Sequence, residues 1–372
     1  MSVEWFIFVA VLITILQSYI FTKYGLRKIR YARYFNVPAV FEGQEVEMVE
    51  VISNEKLLPV PWLRVESKIS ANLEFQRQFN LDIQHQQFHK SLFSLTSYMR
   101  ITRRHRVKCL KRGCYLLNSV AMTCGDLFGF QNTSRTFSLD AQLLVYPKLM
   151  RLDEIPLPHH SWQGDVTVRR WIVDDPFMVS GVREYTYGDP LNRINWKATA
   201  RTGKLKVHNL DFTANPRLMI YLNVDISESM WDAVTEPERI ERGICYAASI
   251  AQHAISRGIE IGFGSNGYLV DNEGEPVRIP PRCSSEHLIS IFEALAKLVV
   301  ARSVTFFTFL EQDLAKGVTG MDFLIITSYV SERMQNQIKR LEEYGNAVEI
   351  LRLHRQENSE GNRDDEFDLD AS

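Results

Sequence analysis

The sequence predicts a parallel α/β domain, preceded by a β-sandwich domain and by one N-terminal transmembrane helix. Three observations lead there. Trp5 to Thr22 is apolar and carries no charge, and short alternating runs recur from residue 40 to about 147. From about residue 216, strand-length apolar runs alternate with segments of helical period.

The uncharged run spans 18 residues, near the lower limit for a helix crossing a hydrocarbon core of about 30 Å. Trp5 and Tyr24 stand where interfacial aromatics are expected, and Lys23, Arg27, Lys28, Arg30 and Arg33 follow. Before it come only Glu4 and the amino terminus, so the positive-inside bias places the bulk of the chain in the cytoplasm of a single-pass membrane protein. A cleaved signal peptide would want a basic leader and a small-residue cleavage site, and neither is present. A buried core helix is the remaining alternative.

Residues 35–150 form the predicted sandwich, with Val46–Ile52, Trp62–Lys68, Val107–Leu110 and Gln142–Tyr146 among its strands. No catalytic group is expected there. Residues 151–215 read as a connector, and 216–354 as the α/β domain. Its strands are placed at Arg217–Val224, Ile259–Phe263, Met321–Thr327 and Ala347–Leu353. Its helices are placed at Glu238–Ser256, Glu286–Val300 and Glu332–Glu343. In the first of them Ile240, Ile244, Ala247, Ile250 and Ala251 make the buried stripe. The acidic tail, 355–372, lacks apolar residues and is expected to be disordered.

A chain of 372 residues exceeds a single typical core. Net charge is −2, which removes any global electrostatic case for nucleic-acid binding. The five cysteines are odd in number and lack Cys-x-x-Cys spacing, against both a disulfide framework and a zinc knuckle.

The most chemical stretch is Asp225-Ile-Ser-Glu-Ser229, directly after an apolar strand. One carboxylate and two hydroxyls, Asp225, Ser227 and Ser229, offer hard oxygen ligands for Mg²⁺, which needs few protein carboxylates. Ligands of open α/β sheets also collect at the carboxyl ends of strands. A second dense motif runs from Arg183 to Arg201 and holds Arg183, Tyr185, Gly188, Asp189, Arg193, Trp196 and Arg201. It reads either as a docking surface anchored by Arg and Trp or as a charged connector whose Trp covers a domain junction. His159-His160 sits in a Pro-rich stretch and reads as solvated linker. No phosphate-binding Gly-x-x-x-x-Gly-Lys-Ser/Thr loop and no Gly-x-Ser-x-Gly elbow occurs.

The pattern Arg183-x-Tyr-x-x-Gly-Asp followed by Arg193-x-x-Trp196-x-x-x-Ala-Arg201 resembles the signature of the domain of unknown function 58 family. Arg112-Gly-x-Tyr115 and Gly125-Asp-x-Phe-Gly129 are similar to the end of that family's β-rich region. The resemblance implies a von Willebrand factor A-like (Rossmann-type) fold and an AAA+ ATPase partner of MoxR type. It also implies a three-loop adhesion-type metal site. Asp225, Ser227 and Ser229 match its first loop, and Thr305 is the second-loop candidate. In the third loop Ser328 stands where an aspartate is usual, so the implied Mg²⁺ site is weak. The function expected is therefore a membrane-anchored interaction protein and not an enzyme. An Mg²⁺-dependent phosphoester hydrolase using Asp225 and a metal-free scaffold for envelope assembly are the alternatives.

Overall fold

The computed structural model describes residues 3–75, 88–126, 129, 131–157, 179–185, 194–210, 217–228 and 235–355. The chain divides into two compact units, Met1–Lys148 and Leu149–Ser372. The first thus includes the N-terminal helix together with the sandwich. The tail predicted to be disordered lies outside the described residues except for Arg355, as do His159 and His160.

The first unit opens with α1 (Val3–Tyr24), which at 1.5 Å per residue is about 33 Å long. Its apolar side chains face outward: Trp5, Phe8, Ile13, Ile15 and Tyr19 are all exposed. Mean hydropathy over the Trp5–Tyr24 span is 2.0. Only its last turns are held by the sandwich. Thr22 Oγ1 donates to Gln131 Oε1 (2.9 Å), and Thr133 Oγ1 donates to the Thr22 carbonyl (3.2 Å). The Lys56 ammonium donates to the carbonyls of Gly25 and Arg27 (2.7 and 2.9 Å), and its burial pushes its pKa down to about 8. A Cβ at Gly25 would stand 2.4 Å from the Phe21 carbonyl and 2.7 Å from Cys124 Sγ, so a glycine is required there.

Among the described residues nine strands follow: β1 (Ile29–Phe35), β2 (Ala39–Phe41), β3 (Glu45–Asn54), β4 (Val60–Lys68), β5 (Leu73–Phe75), β6 (Phe88–Leu95), β7 (Arg100–Cys109), β8 (Gly113–Gly125) and β9 (Asn132–Tyr146). They make two sheets, ordered β1-β3-β7-β5 and β2-β9-β8-β4-β6. Inward side chains of both sheets interdigitate, as a sandwich requires. Two apolar clusters result. One contains Met48, Val107, Tyr115 and Leu143, the other Ile52, Leu63, Phe93 and Met122.

Between these clusters lies a belt of buried polar groups that the sequence reading did not anticipate. On β3 the inward residues run Met48, Glu50, Ile52, so a carboxylate separates the two apolar halves. Arg33 Nη2 donates to Glu50 Oε1 (2.8 Å), with both side chains fully buried. Tyr31 also donates to Glu50, and His105 Nε2 lies 3.4 Å from Glu50 Oε2. His89 packs against His105 edge to face, 5.1 Å between ring centroids. Burial works against the Glu50 charge, but the His105 contact and the Arg33 charge prevail and hold its pKa below the ordinary range. Burial and the Arg33 charge push the His89 pKa down to about 3. His105 came with β7, where Arg104 and Arg106 alternate outward.

The second unit begins with a one-turn 3₁₀ helix (Leu152–Glu154). It continues through β10 (Val179–Glu184), α2 (Trp196–Thr202) and β11 (Lys206–Leu210). The α/β region then comprises β12 (Arg217–Leu222), α3 (Pro237–Ser256), β13 (Glu260–Ser265), β14 (Gly267–Leu269), β15 (Val277–Arg282), α4 (Ser285–Lys297), β16 (Leu298–Arg302), α5 (Phe306–Ala315), β17 (Asp322–Thr327), α6 (Glu332–Glu343) and β18 (Ala347–Arg352). The main sheet is mixed, ordered β15-β13-β12-β17-β18, and only β15 runs antiparallel to its neighbour. The central strands are apolar on both faces because helices cover both. On one face α5 and α6 bury Phe306, Phe309, Met334 and Ile338 over Tyr221, Phe323 and Ile325.

The predicted stripe of α3, Ile240, Ile244, Ala247, Ile250 and Ala251, is buried. A Cβ at Gly243 would meet Leu222 Cδ1 at 2.9 Å and Leu353 Cδ1 at 3.0 Å, so a side chain there would push these leucines aside.

Several features differ from the sequence expectation. The helix predicted to 300 ends at Lys297, and the Leu298-Val-Val segment, with its two β-branched valines, opens β16, paired with β14. Strand β15 was not predicted, because Pro280 and Pro281 argue against a central strand. They are tolerated here because β15 is the sheet edge. Helix α5 was also missed; its ten residues are too few for a clear period. Arg278 ties β15 to it, with Nε 2.7 Å from the Asp313 carboxylate, which also accepts from the Tyr221 hydroxyl (2.6 Å).

Candidate functional site

Asp225 lies three residues beyond the end of β12. From β12 the chain builds the sheet first through β13 to β15, then returns to the other side with β17 and β18. The strand order therefore reverses between β12 and β17, and the crevice outside those carboxyl ends is where such sheets bind ligands.

Two buried asparagines fix the loops around it. Asn266, just after β13, accepts the Val224 N–H (2.9 Å) and donates to the Val304 carbonyl (3.1 Å). Asn223 donates through Nδ2 to Thr327 Oγ1 (3.0 Å) and accepts the Asp225 N–H (2.9 Å). Each amide satisfies backbone or hydroxyl groups from two loops at once, where a buried orphan would cost about 1–3 kcal/mol. Arg239, from α3, donates to the carbonyls of Leu353 and Ser328 and so holds the loop after β17.

The Asp225 carboxylate is 1% exposed, and each of its oxygens has a protein donor. Arg302 Nε donates to Oδ1 at 2.7 Å, and the Phe306 N–H donates to Oδ2 at 3.1 Å. Phe306 opens α5, so its N–H also carries the positive end of a helix. Burial, together with the nearby Asp225 charge, pushes the Tyr329 phenol up to about 12, and Arg302 opposes that rise. Above this buried floor the rim is open. Ser227 and Glu228 are exposed, and Glu228, 3.7 Å from Arg333, lines a shallow depression with it, Ser331 and Glu332.

The residues proposed for a metal fare as follows. Asp225 is committed to Arg302 and Phe306. Thr305 is the N-cap of α5, its hydroxyl accepting from the Thr308 N–H at 3.2 Å. Ser227 is exposed, and Ser229 lies outside the described residues. Ser328 has a buried hydroxyl with no hydrogen-bond partner. Among the described residues, the one carboxylate and one of the hydroxyls already serve other donors. Asp322 starts β17, opposite Leu218, about 23 Å along the sheet from Asp225.

The signature residues are less gathered. Arg183 belongs to β10, in register with Val207 of β11, and the Tyr185 N–H donates to the Leu205 carbonyl (3.0 Å). Asn195 caps α2, and Trp196 at its first position is 69% exposed; Arg201, in its last turn, is exposed too. Gly188, Asp189 and Arg193 lie outside the described residues.

Sequence reading missed Arg302, Asn223 and Asn266. The asparagines could have been noticed as polar residues immediately after strands. Arg302 carries no such mark, since its partner is 77 positions away.

Two solved structures overlap part of this chain. A cohesin from Archaeoglobus fulgidus covers 31% of this chain and 91% of its own, at 10% identity and a TM-score of 0.23. The CARDB domain of a Pyrococcus furiosus protein covers 32% and 97%, at 14% identity and a TM-score of 0.20. At these scores neither supports an inference. Among curated proteins, the uncharacterized protein YeaD of Bacillus subtilis (strain 168) is 21% identical over 265 residues, 71% of this chain. The chain spans 63% of that relative's length. Residues 181–351, which contain the signature helix, the α/β sheet and the Asp225 crevice, match the family model described as protein of unknown function DUF58.

Proposed function

We propose that this chain is a membrane-anchored adaptor whose α/β region, of von Willebrand factor A-like type, presents its strand-end crevice and signature helix to a protein partner. The partner implied by the resemblance is an AAA+ ATPase of MoxR type. The observation that supports docking over chemistry is the neutralised Asp225: a carboxylate held by Arg302 and a helix N–H is in no position to activate water or a metal. A phosphoester hydrolase would want an open carboxylate, with further charge placed around the phosphoryl group. The free edge instead offers Ser227, Glu228 and Arg333, and α2 offers an exposed Trp196, the kind of residue that anchors interfaces.

The docking role is tested with the full chain in nanodiscs and a purified MoxR-type ATPase on a biosensor surface. Saturable binding is expected, with affinity reduced at least about tenfold by Trp196→Ala, the usual scale for an interfacial aromatic anchor. No binding in any nucleotide state would remove the ATPase as partner.

Orientation has its own test. Among the described cysteines Cys283 is the exposed one. In intact cells a membrane-impermeant maleimide is expected to leave it unlabelled until the membrane is permeabilised. Labelling of intact cells that Cys283→Ser abolishes would place the body outside and reverse the topology.

A further inference from the structure

The geometry points to Arg302 as a resident cation: we infer that its guanidinium takes the place a divalent ion would hold beside Asp225, so that the strand-end loop keeps its shape without metal.

A lone aspartate at the end of a buried strand needs compensation. Removing an ionised carboxylate from water is costly unless a positive charge or several hydrogen bonds replace the lost hydration. In a metal-bearing loop the ion would supply that charge. Here Arg302 Nε, 2.7 Å from Oδ1, supplies a full one, and the Phe306 N–H at the start of α5 supplies a partial one at Oδ2. The Arg302 side chain is 18% exposed and that of Asp225 1%, which strengthens the attraction relative to a surface pair.

The surrounding groups are arranged for this arginine and not for an ion. Arg302 ends β16, whose pairing with β14 is set by Tyr268↔Val299 and Leu269↔Leu298. The Ser303 N–H then donates to the Asn266 carbonyl (2.9 Å), and Asn266 Nδ2 donates to Val304. The backbone on both sides of the Arg302–Thr305 turn is thereby tied to the same asparagine that positions Val224. Thr305, the second-loop candidate, closes the turn by capping α5. Ser328, directly after β17, brings a neutral hydroxyl and no second carboxylate to the loop. A divalent ion could reach Asp225 only by expelling the guanidinium and breaking this turn. The inference goes beyond the docking role and stands whether or not a partner binds.

The test uses the full chain in detergent, with thermal unfolding of wild type, Asp225→Asn, Arg302→Met and the double variant. Each single change is expected to lower the Tm by about 5 °C, because each strands a charge or donor. The double variant is expected to melt close to the singles and well above the sum of their effects. Wild type titrated with Mg²⁺ or Mn²⁺ to about 10 mM is expected to show no saturable heat and a Tm shift below about 1 °C. Additive losses in the double variant would overturn the inference. So would saturable Mn²⁺ binding to wild type that Asp225→Asn abolishes. If a single variant does not fold, folding of the double variant reports the same coupling. If neither folds, the wild-type titration decides: saturable binding at this loop refutes the assignment, and its absence upholds it.

Discussion

Lowering the pH from 7 to 4 is expected to weaken the sandwich by about 3 kcal/mol, and His89→Gln is expected to remove most of that loss. The group responsible is His89, whose pKa falls from an ordinary 6.5 to about 3 in the folded state. Burial comes first among the causes, followed by the positive charge of Arg33, which forms the buried pair with Glu50. Because the folded pKa is depressed, the unfolded chain takes up a proton below pH 6.5 that the folded chain refuses. The contribution is complete above pH 6.5 and shrinks as the pH falls, until the folded group itself titrates near 3. Over the 2.5 units from 6.5 to 4, at about 1.4 kcal/mol per unit, the loss is about 3 kcal/mol. Glu50 acts in the same direction below its ordinary range, since its folded pKa is also lowered. Hydrogen exchange of the β3 and β7 amides, corrected for intrinsic rates, reads the opening free energy of this unit directly. An unchanged pH slope in His89→Gln would show that His89 is not the titrating group.

The second large effect is expected from Arg33→Met. Arg33 and Glu50 are both fully buried, 2.8 Å apart, on adjacent strands β1 and β3. Losing the arginine strands a carboxylate between two apolar clusters, and breaking such a pair typically costs about 3–5 kcal/mol. Methionine retains much of the volume, so a cavity is not the main cause. Adding Glu50→Gln removes the stranded charge, and more than half of the stability is expected to return in urea unfolding of the sandwich transition. Equal destabilisation in single and double variants would mean that Arg33 acts through packing alone. The belt also gives the sandwich a register signal. A one-residue slip of β3 would move Glu50 to the outside and bring Val49 and Val51 inward, leaving Arg33 without its partner.

Much of the architecture was legible along the chain because its signals are local. The stripe from Ile240 to Ala251 marks α3 by its spacing, and α6 occupies the predicted Glu332–Glu343. The apolar Trp5–Thr22 run declared a helix long enough to cross a bilayer, and its side chains are exposed as such a helix requires. Asp225-x-Ser-x-Ser was likewise visible as a loop at a strand end. What escaped were features whose cause lies elsewhere in the fold. Pro280 and Pro281 look unfit for a strand until β15 is known to be an edge. Glu50 looks like any alternating surface glutamate until its parity with Met48 and Ile52 is read against the second sheet.

The sequence by itself determined the kinds and order of the longer periodic elements, and the presence of one carboxylate with hydroxyls after the first α/β strand. Hydrophobic period and turn chemistry act over a few residues, so those choices need no long-range information. Only the tertiary structure decided what that carboxylate does. Arg302 reaches Asp225 across 77 positions, through the pairing of β14 with β16 and the turn held by Asn266. Charge compensation in a buried site depends on which groups the fold brings within about 3 Å, and no spacing in the sequence encodes that distance.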